Sequence, residues 1–254
     1  MKVLTEESLR VQFKKQTPEK YVVDKKAIIT PSAKEYLAKK NVELIIQDDM
    51  GENGEIVIEE ANNNPYNKIP VEASGRHIHL SQEDMDSLFG QGYEMTVVKE
   101  LSQPGQYQYK ERVTLIGPKG TIQRVAILGP VRGRTQIEIS LTDAVVLGIK
   151  PPIRESGDLD GAEALFVSTP RNVLKVEEGV IVAKRHIHMT EEDAKKLNVK
   201  DKDIVKVKIN SKRPVIFEEV VVRANKNYKL SMHIDYDEAN AVALEKETYG
   251  EILY

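Results

Sequence analysis

The chain contains no cysteine. That excludes disulfides, thiolate metal ligation and any cysteine acyl-enzyme. No run approaches the roughly 18 apolar residues of a membrane span. The first residues, Met1-Lys-Val-Leu-Thr-Glu-Glu, lack the apolar stretch of a secretory signal. Positive charge is not in excess either. Thirty-seven Lys+Arg against 40 Asp+Glu give a net charge of −3, with no general pull toward nucleic acid or an anionic membrane. These absences predict a soluble, cytoplasmic protein with neither nucleic acid nor membrane as partner. At 254 residues the chain can bury a substantial core, and two domains are a fair prior.

Histidine is scarce as well, and its placement is informative. All five histidines fall in three short motifs: Arg-His-Ile-His at 76–79 and again at 185–188, and Met-His-Ile-Asp, which supplies His233. On an extended strand, residues two apart share a face. Each His-Ile-His therefore presents His77 with His79, or His186 with His188, as adjacent imidazoles, and turns the isoleucine toward a core. The two motifs lie in a longer internal repeat. Arg76-His-Ile-His-Leu-Ser-Gln-Glu-Asp-Met-Asp-Ser-Leu aligns without gaps on Arg185-His-Ile-His-Met-Thr-Glu-Glu-Asp-Ala-Lys-Lys-Leu, 109 positions later. In both copies a strand runs into a hydroxyl residue, Ser81 or Thr190, suited to cap a helix whose first turn is acidic. The pattern predicts two related half-barrels that bring their histidine pairs to a shared interface.

Between and after these motifs the texture is β-rich. Arg112-Val-Thr-Leu-Ile, Arg124-Val-Ala-Ile-Leu, Thr135-Gln-Ile-Glu-Ile-Ser, the 204–209 and 215–223 runs and Lys229-Leu-Ser-Met-His-Ile read as short strands, several separated by Gly/Pro turns. The expected fold class is mainly β: two small barrels flanked by short helices. Residues 1–60 read as a small, partly helical extension. Thr5 caps one helix, and Thr30-Pro31 starts another. A β-like stretch at 56–58 and polar clusters around it lead into the main body near Ile69.

Neutral imidazole suits zinc, and also copper, nickel or iron. Catalytic zinc normally has three protein ligands and an open position, so each pair needs a partner. His233 is the one histidine left. For the remaining pair a carboxylate must serve, and Glu138, in the alternating Gln136-Ile-Glu-Ile, is the best candidate. Arg132 follows Leu128-Gly-Pro-Val six residues earlier. On one continuous strand it would share a face with Glu138, and an arginine beside a metal suits bidentate phosphate capture. Arg76 and Arg185 read either as surface charges or as holders of anionic substrate groups.

Seven stretches carry a resemblance: Gly75-Arg-His-Ile-His-Leu-Ser, Leu101-Ser-Gln-Pro-Gly-Gln, Ile127-Leu-Gly-Pro-Val-Arg, Thr135-Gln-Ile-Glu-Ile-Ser, Gly148-Ile-Lys-Pro-Pro-Ile-Arg-Glu-Ser-Gly-Asp, Ala183-Lys-Arg-His-Ile-His-Met-Thr and Met232-His-Ile-Asp-Tyr-Asp-Glu-Ala-Asn-Ala. In order and in register over roughly residues 69–245, they resemble the phosphate propanoyltransferase family, phosphotransacylases associated with bacterial microcompartments and propanediol degradation. The resemblance implies the reaction acyl-CoA + phosphate ⇌ acyl phosphate + CoA, with propanoyl-CoA or acetyl-CoA as donor. It implies two barrels with two zinc ions between them: a discontinuous first barrel (66–75 and 184–254) and a second (76–183). It assigns His77, His79 and Glu138 to one zinc, His186, His188 and His233 to the other, and phosphate contact to Arg132. The segment Leu4-Thr-Glu-Glu-Ser-Leu-Arg and Ile29-Thr-Pro-Ser-Ala-Lys-Glu-Tyr-Leu is similar to a leader on other microcompartment enzymes. It implies a location inside such a shell, with shell proteins or co-encapsulated enzymes as partners. A homodimer is the base-rate expectation.

Without cysteine, direct attack by phosphate on the thioester is the simplest route. Ligand histidines must be neutral, so activity is expected to fall on acidification as they protonate. Two rivals share the ligand set: a binuclear metallohydrolase, and a non-enzymatic module in which zinc only staples the barrels together.

Overall fold

In the computed structural model, residues 3–13, 17–24, 27–47, 64 and 66–254 are described. The expected β-like stretch at 56–58 lies outside them. The chain divides into two compact units, Met1–Pro65 and Tyr66–Tyr254.

In the first unit, β1 (Val3–Leu4), α1 (Glu6–Gln12), β2 (Lys20–Asp24), β3 (Ile28–Ile29), α2 (Pro31–Lys39) and β4 (Glu43–Gln47) follow one another. Strand β1 pairs with β3 and β2 with β4, both in parallel. Thr5 accepts from the Ser8 amide and Thr30 from that of Ala33, with Pro31 in the first turn of α2, so both helices begin where side-chain capping dictates. Leu9, Phe13, Tyr21, Ala33 and Leu37 form a small core of the unit's own.

The second unit opens with β5 (Ile69–Ala73), β6 (His77–His79), α3 (Gln82–Phe89), β7 (Val97–Glu100), β8 (Tyr107–Ile116) and β9 (Thr121–Gly129). It continues with β10 (Gln136–Glu138), α4 (Leu141–Leu147), β11 (Ile153–Arg154), β12 (Glu163–Ser168) and β13 (Val173–Ala183). The last part holds β14 (His186–Met189), α5 (Glu191–Lys196), β15 (Ile204–Asn210), β16 (Val215–Ala224), β17 (Ser231–Ile234), α6 (Tyr236–Ala241) and β18 (Tyr249–Leu253).

Two barrels result. One closes in the order β14-β16-β15-β18-β5-β17. The other runs β10-β6-β9-β8-β12-β13 and closes by parallel pairing of β13 with β10. The two orders superpose step for step: β6 on β14, β9 on β16, β8 on β15, β12 on β18, β13 on β5 and β10 on β17. Each step keeps its sense, parallel for β6–β9 and β14–β16, antiparallel for β6–β10 and β14–β17. Even the irregularities repeat. Arg124 in β9 and Glu219 in β16 both take a left-handed backbone (φ 59° and 54°) at matching positions, each beside a register shift in its strand pair.

Packing follows the alternation of the strands. Ile78 and Ile187 are fully buried, each in the core of its own barrel. Ser81 and Thr190 cap α3 and α5 as the repeat predicts.

Candidate metal centre

Because the isoleucines point inward, the flanking histidines of each motif point to the other face, where the barrels meet. The imidazoles of His77 and His79 lie 5.2 Å apart between centroids, and those of His186 and His188 4.7 Å. The partner strand completes each group. Strand β10 sets Glu138 opposite His77, with His77 Nε2 3.6 Å from Glu138 Oε2. Strand β17 sets His233 opposite His186, their rings stacked at 5.3 Å. Candidate ligand atoms of His186, His188 and His233 lie within 4.8 Å of one another.

The tautomers are set locally. His77 Nδ1 donates to the carbonyl of Gly75, and His186 Nδ1 to that of Lys184, both at 2.8 Å. Each ring therefore keeps Nε2 as a lone pair facing the cleft. The second histidines are different. His188 is buried with neither ring nitrogen hydrogen-bonded, and Nδ1 of His79 is likewise unpaired. An imidazole with a buried, unsatisfied lone pair loses solvation with nothing in return. A coordinated cation satisfies that lone pair, so the donor set fits a divalent metal.

The electrostatics favour neutral ligands. Burial, reinforced by His77, pushes His79 down to about 3. Burial, then His186 and His233, pushes His188 to about 2, and burial with His186 pushes His233 to about 3. His186 is lowered by burial too, partly offset by the Lys184 carbonyl. Burial would raise Glu138, but His77, His186 and the Ser156 hydroxyl outweigh it and keep the carboxyl below its ordinary range. Burial thus favours the neutral, ligating form of His79, His186, His188 and His233.

Arg132 does not share a strand with Glu138. Strand β9 ends at Gly129 and β10 begins at Gln136, so Arg132 reaches in from the connection between them. Its amide donates to the Leu80 carbonyl at 2.9 Å, and its guanidinium donates to His79 Nε2 at 2.9 Å and to Ser156 Oγ at 3.1 Å. Arg76 and Arg185 are committed elsewhere. Arg76 grips the buried Asp143 through two contacts (2.9 and 3.0 Å), and Arg185 meets Glu238 at 3.0 Å. Each acid sits in the first turn of the helix that follows the partner strand, so these arginines brace the repeat, and Arg76 also lines the cleft.

The groups face a cleft of about 540 Å³. Sequence reading missed several of its walls. Arg223, at the end of β16, lies over the Tyr228 ring (5.9 Å), and Tyr228 stacks on His188 at 4.3 Å. Gln136 donates to Glu138 and, at 2.8 Å, to Ser156, while its carbonyl accepts from the Gly157 amide. Gln103 is buried beside His233. Arg223, Ser156 and Gln103 are single residues in unrelated segments. For Gln103 and Ser156 the one sequence signal is that they fall in the Leu101–Gln106 and Gly148–Asp158 stretches of the resemblance; Arg223 falls in none.

Comparison with known proteins gives one consistent result. The sequence model of the phosphate propanoyltransferase family matches residues 70–245, which include all seven candidate residues. The phosphate propanoyltransferase of Clostridioides difficile is 56% identical over 185 residues (73% of this chain, 88% of the relative). That of Alkaliphilus metalliredigens is 56% identical over 195 residues (77% and 92%), and that of Enterococcus faecalis 50% over 206 (81% and 98%).

Proposed function

The chain belongs to the phosphate propanoyltransferase family, and from that premise we propose that the inter-barrel cleft interconverts a short-chain acyl-CoA and phosphate with acyl phosphate and CoA, supported by two zinc ions. The observation that carries this reading is the convergence on one cleft of two histidine groups and two guanidiniums, Arg132 and Arg223.

His77, His79 and Glu138 would hold one zinc, and His186, His188 and His233 the other. Bound there, zinc supplies Lewis acidity for the thioester carbonyl and a soft acceptor for the CoA sulfur. The rest is done by the chain. Arg132, oriented by Ser156, binds phosphate and aims one oxygen at the thioester carbon, and Arg223 helps neutralise the anion. A C–O bond forms as the C–S bond breaks, and CoA leaves as thiolate. Phosphate is already ionised at neutral pH, so no strong base is needed. Holding both reactants in one cleft supplies much of the remaining rate.

Residues 1–60, whose described part has a core of its own, serve on this reading in assembly or encapsulation with microcompartment proteins. Normal co-assembly after deletion of 1–60 would remove that role. For the main reading, thiol release from propanoyl-CoA or acetyl-CoA is measured with and without phosphate. The transferase releases CoA only with phosphate. A metallohydrolase releases it without, and a zinc-stapled module releases none.

A further inference from the structure

The loop Leu101–Gln106 joins β7 to β8 in one barrel, yet two of its side chains fasten to the other barrel. Ser102 Oγ donates to the carboxylate of Glu72 on β5. Glu72 lies directly beside His233 in the parallel pairing of β5 with β17. The next residue, Gln103, is 2% exposed. Its amide oxygen accepts from the Lys229 backbone N–H at 3.1 Å, and its amide nitrogen donates to the Lys229 carbonyl at 2.9 Å. The same nitrogen lies 3.4 Å from His233 Nε2.

Lys229 belongs to the connection that runs from β16 to β17. Immediately before it, Tyr228 stacks on His188, with the two rings 29° from parallel. Four residues after Lys229, β17 delivers His233. The loop before β17 has no repetitive structure to hold it, so a two-point grip on one peptide fixes both flanking residues.

From this geometry we propose that Gln103 is a positioning residue for the His186–His188–His233 group: by clamping Lys229 it sets Tyr228 against His188 and holds His233 in ligating position. This rests on the reading that those histidines hold a metal. One barrel thus completes the metal-binding geometry of the other.

The test is Co²⁺ titration of the metal-depleted full-length protein, followed by visible absorption, for the parent, Gln103→Met (similar shape, no amide) and Gln103→Asn (an amide one methylene too short). Thermal melts run alongside. The parent should bind two equivalents. Both variants should keep one site at parental affinity and weaken the other about ten- to hundred-fold, the usual effect of losing a group that orients a metal ligand. The altered absorption band should belong to the weakened site, with melting temperatures of the loaded proteins close to the parent's. His77→Ala marks the other site by deleting it. Two tight equivalents with parental spectra in both variants would overturn the proposal. If Gln103→Met does not fold, Gln103→Asn alone decides. A parent that binds no Co²⁺ would instead remove the underlying metal reading, a separate outcome.

Discussion

Glu138 and His233 occupy the same place in the two halves of the repeat. Glu138 is the in-register partner of His77 on β10, and His233 is that of His186 on β17. A duplicated frame therefore holds two unlike candidate ligand sets, one with a carboxylate and one with imidazoles only. On the proposed two-metal reading, the pair gives the two sites donor sets of different charge.

Removing the carboxylate charge should separate the two. Glu138→Gln keeps shape and can still accept from Gln136, yet loses the anionic oxygen 3.6 Å from His77. Metal analysis of the purified variant should show about one equivalent lost, with the histidine-only group still loaded and turnover nearly abolished. His188→Ala should lose the opposite equivalent. Two retained equivalents in Glu138→Gln would remove Glu138 from the ligand set.

Much of this site was legible in the sequence because the repeat is gapless and histidine is used nowhere else. Four of the six candidate ligands lie in the repeated motif, and Glu138 stood out as a charged residue alternating with isoleucines. The barrels followed from the same short-strand texture. What stayed hidden depends on non-local geometry. Arg223 ends a run of valines in a strand whose period is broken by the left-handed Glu219. Ser156 and Gln103 reach the cleft from loops, whose side-chain directions no periodicity specifies. For Arg132 the spacing left a shared strand face and a turn both open, and the chain reaches it by the turn between β9 and β10.

Gly75 has a steric reason to be glycine. A Cβ there would lie 2.4 Å from the Tyr236 hydroxyl and 2.5–2.9 Å from ring atoms. Its carbonyl also fixes the His77 tautomer. Gly75→Ala should destabilise the protein by about 1–3 kcal/mol through overpacking, and Gly75→Ala/Tyr236→Leu should recover part of that. Gly133 is the control: a Cβ there meets nothing within 4 Å, so Gly133→Ala should change stability by about 0.5 kcal/mol at most. Chemical denaturation of the set gives the answer. Equal losses at both glycines would discredit the steric explanation.

The buried His79 and His188 and the half-buried His233 should make the metal-free protein acid-sensitive. His79, His188 and His233 sit at about 3, 2 and 3 when folded, below the ordinary 6.5 of the unfolded chain. A neutral buried histidine contributes its stability above pH 6.5 and loses it as pH falls toward its folded value. In that window the unfolded chain binds up to three more protons. Stability should drop by as much as about 4 kcal/mol per pH unit, enough to unfold a typical domain before the imidazoles charge in place. Urea midpoints of the metal-depleted protein at pH 7.5, 6 and 5 measure this. The pH 5 midpoint should be far lower, and bound zinc should restore part of it. Identical midpoints would mean that the histidines are not buried as described.

The two bracing pairs should matter for stability before chemistry. Arg76→Ala leaves Asp143, whose side chain is only 4% exposed, without its cation, and Asp143 must also receive the Ser140 amide. Because the Arg76 side chain is itself 39% exposed, the expected cost is about 1–3 kcal/mol, under the 3–5 of a fully buried pair. The phosphate KM of the folded variant should stay near the parent's. A large, selective rise in that KM would return Arg76 to the substrate-binding role first considered for it.

Arg132 should behave in the opposite way. Its guanidinium spans His79 Nε2 and Ser156 Oγ, which fixes its plane against one wall of the cleft, while Arg223 rests on the face of Tyr228. A fixed fork suits recognition of an oxyanion at a set angle, and a guanidinium on a ring suits charge neutralisation with some freedom. Arg132→Ala should therefore lower kcat/KM for phosphate by about 10- to 100-fold, as expected for the loss of a charge-assisted hydrogen bond, with little change in KM for acyl-CoA. Arg132→Lys should recover little, because one ammonium cannot reach both His79 and Ser156. Arg223→Lys should recover more, since only charge is asked of it. Metal analysis belongs beside the kinetics. If Arg132→Ala loses metal along with activity, the arginine's main part is to hold His79 in place, and phosphate recognition passes to Arg223.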